Sequence, residues 1–484
     1  MTTPSTLSVT TAASRSGAVS NRWAALPVLM AGTFMIVLDF FIVNVALPSV
    51  QRELGASVAA IEWVVAGYGL TFAVFLITAG RLGDRIGRRR SFSLGLLLFT
   101  AASAACGLAP NAAALVAARL VQGLAGAMLS PNVLAIIGVT YQGAERTRAI
   151  TVYGLVMGIA AAGAQVLGGL IMQLDVLDLG WRGVFLVNLP IGCAALIAAE
   201  RLVPESRATR ARGLDVVGTL LLTAALSALL LPLVQGRQQG WPMWTWISLV
   251  AAPVVLLAFG RHQQWLARRG GAPLLDLTLF RQRSLSTGLL TQLAFWCGQA
   301  SFFLVLALYL QQGRGLDPLR AGLVFTILAA AYLVTSLRAP TLTARYGRDL
   351  IATGALALAA GHGLLLAVLV VGGPQEPLLR LAPGLVLVGA GMGLCITPLV
   401  ATVLEHVSPE QAGAISGDLS TMQQLGNALG VALTGLVFFG TLELGIRTAF
   451  EVSLVQLGIL VLGVAALTRI LPARRDASRT GARR

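Results

Sequence analysis

Two charged side chains stand inside long apolar runs, Asp39 within residues 24–47 and Arg119 within 112–139. A charge near the centre of a bilayer costs on the order of 2.5–3.5 kcal/mol on insertion scales, so such residues usually mark a path for protons or substrate. A carboxylate at Asp39 can exchange a proton or hold a cationic group. Its own run contains no basic residue, and Asn44 is a polar neighbour that could hold it as a structural residue instead. Arg119 is always charged and has no acid in its own run. A backbone carbonyl, Gln122 or a residue of the first run must therefore satisfy it.

A second group of residues occupies the connection Gly80–Arg90. Asp84 sits there among Arg81, Arg85, Arg88, Arg89 and Arg90. A carboxylate so placed can accept from an arginine or from a helix N-terminus. Such a contact can break when two bodies rock apart, which makes a latch of Gly80, Asp84, Arg85, Gly87 and Arg88. The glycines suit a tight turn. The bland alternative is a basic anchor for membrane topology.

Uncharged polar and aromatic residues are the third group. Asn44, Gln122, Gln165, Gln292, Trp296, Gln299 and Tyr332 are the candidates for a substrate cavity between two halves, with Phe295, Phe302, Phe303, Tyr309 and Phe325 nearby in sequence. Amides and rings without charge suit a hydrophobic substrate, although each is equally explained by helix packing. Glu62, beside Trp63, fits an interfacial position as well as a functional one. His362 could relay a proton, but a lone helical histidine is more often a hydrogen-bonding residue.

Several chemistries are excluded or unsupported. The chain contains no lysine, so no G-x-x-x-x-G-K-[ST] nucleotide loop exists. His262, His362 and His406 are far apart, and Cys106, Cys193, Cys297 and Cys395 are single, so no metal or disulfide pattern appears. No nucleophile elbow is present. No cofactor, metal or enzymatic reaction is expected.

These residues must be positioned by membrane helices. Of 484 residues, 56% are hydrophobic and only 11% charged, with a mean hydropathy of +0.80. Soluble domains carry about 25% charged residues, so this composition excludes a water-soluble or disordered chain. Apolar runs of spanning length fall at 24–47, 58–80, 91–109, 112–139, 149–172, 182–200, 214–234, 243–260, 286–311, 319–337, 350–371, 380–404, 417–440 and 452–471. Fourteen spans put both termini on one side.

The net charge of +15 is a matter of placement. Most of the 35 arginines lie on the tails and on the connections that share their side; Arg52, Arg182, Arg237, Arg314, Arg320, Arg380 and Arg447 lie on the other. Positive loops face the cytoplasm, so both termini are expected there. The charge then reports topology, and no nucleic-acid partner is implied. Residues 1–22 lack the apolar stretch of a cleaved signal.

The chain also repeats itself. Arg85, Gly87 and Arg88 recur as Arg345, Gly347 and Arg348, and Gly126–Pro131 is echoed by Gly393–Pro398. Two similar offsets in one order indicate two parallel six-helix halves, a transporter architecture. The expected organisation is a tail at 1–22, a six-helix bundle at 23–205, two extra helices with linkers at 206–283, a second bundle at 284–471 and a basic tail at 472–484.

Gly80-Arg-Leu-Gly-Asp84-Arg85-Ile-Gly87-Arg88-Arg89 resembles the loop signature of the major facilitator superfamily. Leu38-Asp39-Phe40-Phe41-Ile-Val-Asn44-Val-Ala-Leu-Pro48 resembles the first-helix signature of its fourteen-helix drug:proton antiporters. Leu115–Ala127, containing Arg119, Gln122 and Gly123, resembles the intramembrane arginine motif. The resemblance implies a proton-coupled exporter of hydrophobic or cationic small molecules in a bacterial cytoplasmic membrane, monomeric, with protons, substrate and lipid as its partners. It also implies that Arg119 biases a nearby carboxylate in proton transfer. A dedicated metabolite exporter or a solute:proton importer fits the same signatures, and a sensor, scaffold or membrane enzyme fits less well. Two positions depart from the pattern. Phe41 stands where threonine is usual, and Ala164-Gln165 replaces the Gly-Pro that would kink the fifth span.

Overall fold

A computed structural model describes residues 22–207, 213–237, 239–275, 277, 283–372, 377–404 and 409–470. The tails, His406 and parts of the linkers flanking the extra pair lie outside the described residues.

Among the described residues the secondary structure is helical, without strands. The long helices are α1 (Arg22–Leu54), α2 (Val58–Ile86), α3 (Arg88–Gly107), α4 (Ala112–Thr140), α5 (Gly143–Leu174), α6 (Gly180–Leu202) and α7 (Val216–Gln235). They continue with α8 (Met243–Arg268), α9 (Arg283–Leu308), α10 (Pro318–Tyr346), α11 (Arg348–Gly372), α12 (Ala382–Leu404), α13 (Pro409–Gly440) and α14 (Ile446–Thr468). Thirteen are long and apolar enough to cross a membrane by the simplest test, and α5, bent by 44° between Ala161 and Gly163, makes fourteen. The protein is a multi-pass membrane protein.

Local sequence sets the ends of these helices. Ser57, Asn111, Asp215 and Asp317 each accept a backbone N–H of the first turn that follows, satisfying donors with no partner inside the helix. Gly87 at φ +114° separates α2 from α3, and Gly347 at φ +54° separates α10 from α11. These are the repeat-related glycines of the two halves, and L residues rarely adopt such φ values.

The helices outrun the apolar stretches. α1 continues to Leu54, α5 begins at Gly143 and α10 reaches Tyr346, against expected limits of 47, 149 and 337. Hydropathy reports only the slab of hydrocarbon, whereas backbone hydrogen bonding carries a helix on into the polar layer.

α1–α6 pack into one bundle and α9–α14 into another. The bundles meet along two seams, α2 against α13 and α5 against α10. The extra pair α7–α8 lies on the first seam, where Leu222, Leu226 and Leu230 of α7 share an apolar cluster with Leu70 and Val74 of α2 and Ala428 and Ala432 of α13. Each bundle has its chain end beside a turn: Tyr141, at the α4–α5 turn, donates to the Arg22 carbonyl at 2.7 Å, and Arg348, at the α10–α11 turn, to the Arg469 carbonyl at 3.3 Å; the even number of long helices puts both ends on one face. This is the termini face; the opposite one is the far face.

The bend in α5 occurs without proline. The Gln165 amide donates to the Phe41 carbonyl of α1 at 2.8 Å. Against α10, a methyl at Gly169 would fall 2.6 Å from the Leu319 Cα, and one at Gly322 2.5 Å from the Gln165 carbonyl. Close approach to both helices holds the far half of α5 in place, and Gly163 in the bend adds no side chain to resist it.

Candidate functional site

The intramembrane charges meet. Asp39 of α1 and Arg119 of α4 form an ion pair through Oδ2 and Nη1, both fully buried. The same Nη1 donates to Gln122 Oε1 at 2.8 Å, and Nε donates to the Val64 carbonyl of α2 at 2.9 Å. All three partners open to Arg119 in the sequence are therefore used. Asp39 Oδ1 accepts from Gln122 Nε2 at 2.8 Å and from Asn188 Nδ2 of α6 at 2.9 Å. Ser103 of α3 accepts from both of those amides, at 2.7 and 3.1 Å. The guanidinium also lies over the Tyr68 ring, 4.4 Å from its centroid. Buried charges survive only when paired and hydrogen-bonded, and here five helices supply the partners.

Asn44 does not hold Asp39. Its amide turns back to the Phe41 carbonyl at 3.2 Å, because five residues along a helix carry it away from the Asp39 face. Asn188 and Ser103 are the members that sequence reasoning missed. Asn188 is a lone amide in an apolar stretch and Ser103 is one of several hydroxyls of α3, with Ser91, Ser93 and Thr100, so neither has a signature of its own. Asn188 could have been sought as the buried amide of the sixth span, the kind of residue that must find a partner.

A cavity of about 540 Å³ lies between the bundles. Gln165, Gln292, Trp296 and Tyr332 line it, joined by Phe41, Phe303, Gln423 and Asn427. Its remaining walls are largely apolar, and none of its described lining residues is charged. The Phe303 and Phe325 rings stack at 5.4 Å, and Phe41 meets Phe303 at 5.1 Å. Among the expected lining residues, Asn44, Gln122 and Gln299 are elsewhere. Gln122 belongs to the charge cluster; Asn44 and Gln299 are buried among helices. Asn44 lies one turn past Phe40 and Phe41, beyond the last α1 residue that lines the cavity, and Gln299, on the face of α9 that carries Gln292, Trp296 and Phe303, is buried without reaching the wall. Asp39 and Arg119 are also off the wall, but Ile36, Phe40 and Phe41 on either side of Asp39 are on it.

The cavity lies in the termini-side half. Its α1 residues run from Thr33 to Phe41, its α5 residues from Ile150 to Gln165 and its α12 residues from Met392 to Ala401. Ile150 and Leu134 are both lining and exposed. Toward the far face the bundles touch. Gln311, past the end of α9, donates to the Val45 carbonyl at 3.0 Å and Gln312 to Gln51 at 3.3 Å.

In the loop, Asp84 accepts from Arg88 Nε and Nη2 at 3.1 and 2.9 Å. The α3 N-terminus is met instead by Glu205, which takes the Arg89 N–H at 3.2 Å. A methyl at Gly87 would lie 2.6 Å from that carboxylate, a second reason for glycine there. Arg81 donates to the carbonyls of Gly213, Ala272 and Pro273 and so ties the linkers of the extra pair to α2. Gly80 lies against Pro131, and Arg85 is exposed.

The profile of the Major Facilitator Superfamily matches residues 29–431. The chain belongs to that superfamily. It is 40% identical over 426 residues to a probable actinorhodin transporter of Streptomyces coelicolor, covering 87% of this chain and 73% of that protein. It is 36% identical to a puromycin resistance protein of Streptomyces alboniger (87% and 82%) and 35% identical to a cephamycin export protein of Amycolatopsis lactamdurans (95% and 94%). A partially occluded, inward-open xylose transporter from E. coli has the same fold, with a TM-score of 0.66 at 14% identity over 95% of this chain and 99% of that one. The relatives of this superfamily member are thus antibiotic and multidrug export proteins.

Proposed function

We propose that the protein is a proton-coupled exporter of uncharged or hydrophobic small molecules, working by alternating access. The observation that carries this reading is the adjacency of two unlike environments. A cavity without described charge, rimmed by amides and rings, adjoins a sealed ion pair on the same stretch of α1. Substrate fills the first, and proton exchange occurs at the second.

The arginine distribution makes the termini face cytoplasmic, so the cavity opens inward. In this state Asp39 is ionised against Arg119. When the bundles rock and the far side opens, Asp39 takes a proton from outside, Arg119 loses its counter-ion, and the substrate leaves. The return stroke re-forms the ion pair and delivers the proton inside. Asp84, Arg85 and Arg88, flanked by Gly80 and Gly87, secure the closed cytoplasmic side in the outward-open state. We place the protein in a bacterial cytoplasmic membrane, acting as a monomer, with protons and substrate as its ligands.

The neutral wall bears on substrate choice. A cation would find amides and ring faces there but no carboxylate among the described residues, so neutral compounds fit better than the cationic class. A narrower reading, a dedicated exporter of one antibiotic, draws on relatives named for single products.

The test is efflux of ethidium and of a neutral aromatic antibiotic from loaded cells, with and without a protonophore, beside Asp39→Asn. Protonophore-sensitive efflux that disappears in the variant supports the reading. Efflux that survives Asp39→Asn with unchanged pH dependence refutes it.

A further inference from the structure

Glu62 lies outside the site described above. It sits in the first turns of α2, near the far face, with only 3% of its surface exposed. Its Oε2 has no hydrogen-bond partner. The carboxyl occupies the seam between the bundles: a Cβ at Gly435 of α13 would stand 2.5 Å from Oε1 and 2.8 Å from Cδ. The glycine of one bundle makes the slot for the acid of the other.

The surroundings leave the carboxyl uncompensated. α7 and the stretch of α13 from Leu419 to Gly440 carry no titratable side chain. Within the membrane, α1, α3 and α4 contribute Asp39, Cys106 and Arg119, and these belong to the cluster that also holds Tyr68 of α2; at the far end of α1, Glu53 pairs with Arg182 and accepts the Trp181 N–H, and Arg52 donates to Ser49. Arg119 meets the α2 backbone at Val64, two residues on and so on the opposite face from Glu62. Arg237, after α7, is the charged group that acts on Glu62, from a distance and without forming an ion pair.

We propose that Glu62 is a proton-operated lock on the far-side seam, holding a proton while α2 and α13 are shut and releasing it to far-side water when they part. An ionised carboxylate sealed away without a donor is far costlier than the neutral acid, so closing the seam and neutralising Glu62 are one event. The proton comes from far-side water and returns to it. Glu62 is therefore separate from the coupling path through Asp39. It links the state of the gate to external acidity, and acid outside favours the inward-open state. The lock deepens the transport reading, resting on it only for calling the far side external.

The test is a distance measurement on the full chain in nanodiscs. Spin labels at Ser57→Cys and Leu444→Cys flank the far ends of α2 and α13; Cys193, the exposed native thiol, is replaced by serine, while Cys106, Cys297 and Cys395 are buried. Raising the pH from about 5.5 to about 8.5 should move population to longer separations in the parent. Glu62→Gln, a carboxyl that cannot ionise, should keep the short distance at both pH values, lowering the long-distance fraction several-fold. Gly435→Ala, which pushes the carboxyl from its slot, should show the long distance already at about pH 5.5. The proposal is overturned if the Glu62→Gln protein responds to pH as the parent does, if the parent does not respond, or if Gly435→Ala leaves the acidic distance unchanged. No step of this assay needs substrate. Absence of protonophore-sensitive efflux would defeat the transport reading alone.

Discussion

Removing Arg119 while leaving Asp39 in place should expose the cost of the buried pair. In Arg119→Gln the carboxylate keeps the Gln122 and Asn188 amides but loses its cation. Breaking a buried pair from one side typically costs about 3–5 kcal/mol. Protonation supplies an independent ceiling. An aspartate with a reference value of about 3.9 lies about three units below pH 7, and each unit is worth about 1.4 kcal/mol, so neutralising it costs about 4 kcal/mol. The two figures agree. The second adds a signature, because the cost falls by about 1.4 kcal/mol for each unit of acidification. The variant's deficit in thermal stability should therefore be larger at pH 8 than at pH 6. Asp39→Asn/Arg119→Gln should recover much of the loss, and its remaining deficit, from the lost Val64 bond and Tyr68 contact, should not vary with pH. Thermal unfolding in detergent reads both quantities. A single-variant deficit independent of pH, or a double variant no more stable than the single one, would refute the pairing argument. Neither variant should support protonophore-sensitive efflux.

Asn188→Leu removes a charge-assisted donor to Asp39, worth about 1.5–3 kcal/mol; efflux should fall at least tenfold in transport assays while the folded yield stays near that of the parent. Asp84→Asn should slow turnover without weakening substrate binding, measured by equilibrium binding beside efflux rate, and unaltered turnover would remove the loop from the cycle. Gly87→Ala should lower the folded yield, because the position needs φ +114° and Glu205 fills the space a methyl would take; a yield equal to the parent's would refute this. Asp215 offers a pH test at the edge of the extra pair. Burial alone would push its carboxyl up, but hydrogen bonds from His262, Gln263 and the Gly218 N–H hold it below the usual carboxylate range. Its contribution to stability is thus present above about pH 4, the unfolded value, and is lost as pH falls through the lowered value. The stability gap between parent and Asp215→Asn should shrink only in that acid range, and a gap constant down to about pH 3 would contradict it.

Much of this molecule is dictated by chain chemistry. A bilayer admits no unsatisfied backbone, so twenty-residue apolar runs must be helices, and their number and arginine asymmetry follow from the residues alone. The loop pattern and its echo near Arg345 are local in sequence and equally legible. Asp39 and Arg119 stand out because charge in hydrocarbon is expensive, whatever surrounds it. Their pairing was open in the sequence, since they are eighty residues apart and only the crossing of α1 and α4 brings Oδ2 to Nη1. Asn188 and Ser103 gave no signal because a lone amide, or one hydroxyl among several, acquires meaning only when several helices aim polar groups at the same point. The cavity wall was partly readable. Gln165, Gln292, Trp296 and Tyr332 reach it, whereas Asn44 lies past its far end, Gln122 is taken up by the charge cluster and Gln299 is buried off the wall, none of which hydropathy encodes. The bend of α5 needed no proline, because contacts to α1 and α10 hold the helix where the tertiary packing requires it. Composition and spacing thus determined that the protein is a bundle of membrane-spanning helices in two related halves. Tertiary packing decided which charges meet, which side is open and that Glu62 rests against Gly435, because those outcomes depend on distances between residues the sequence keeps far apart.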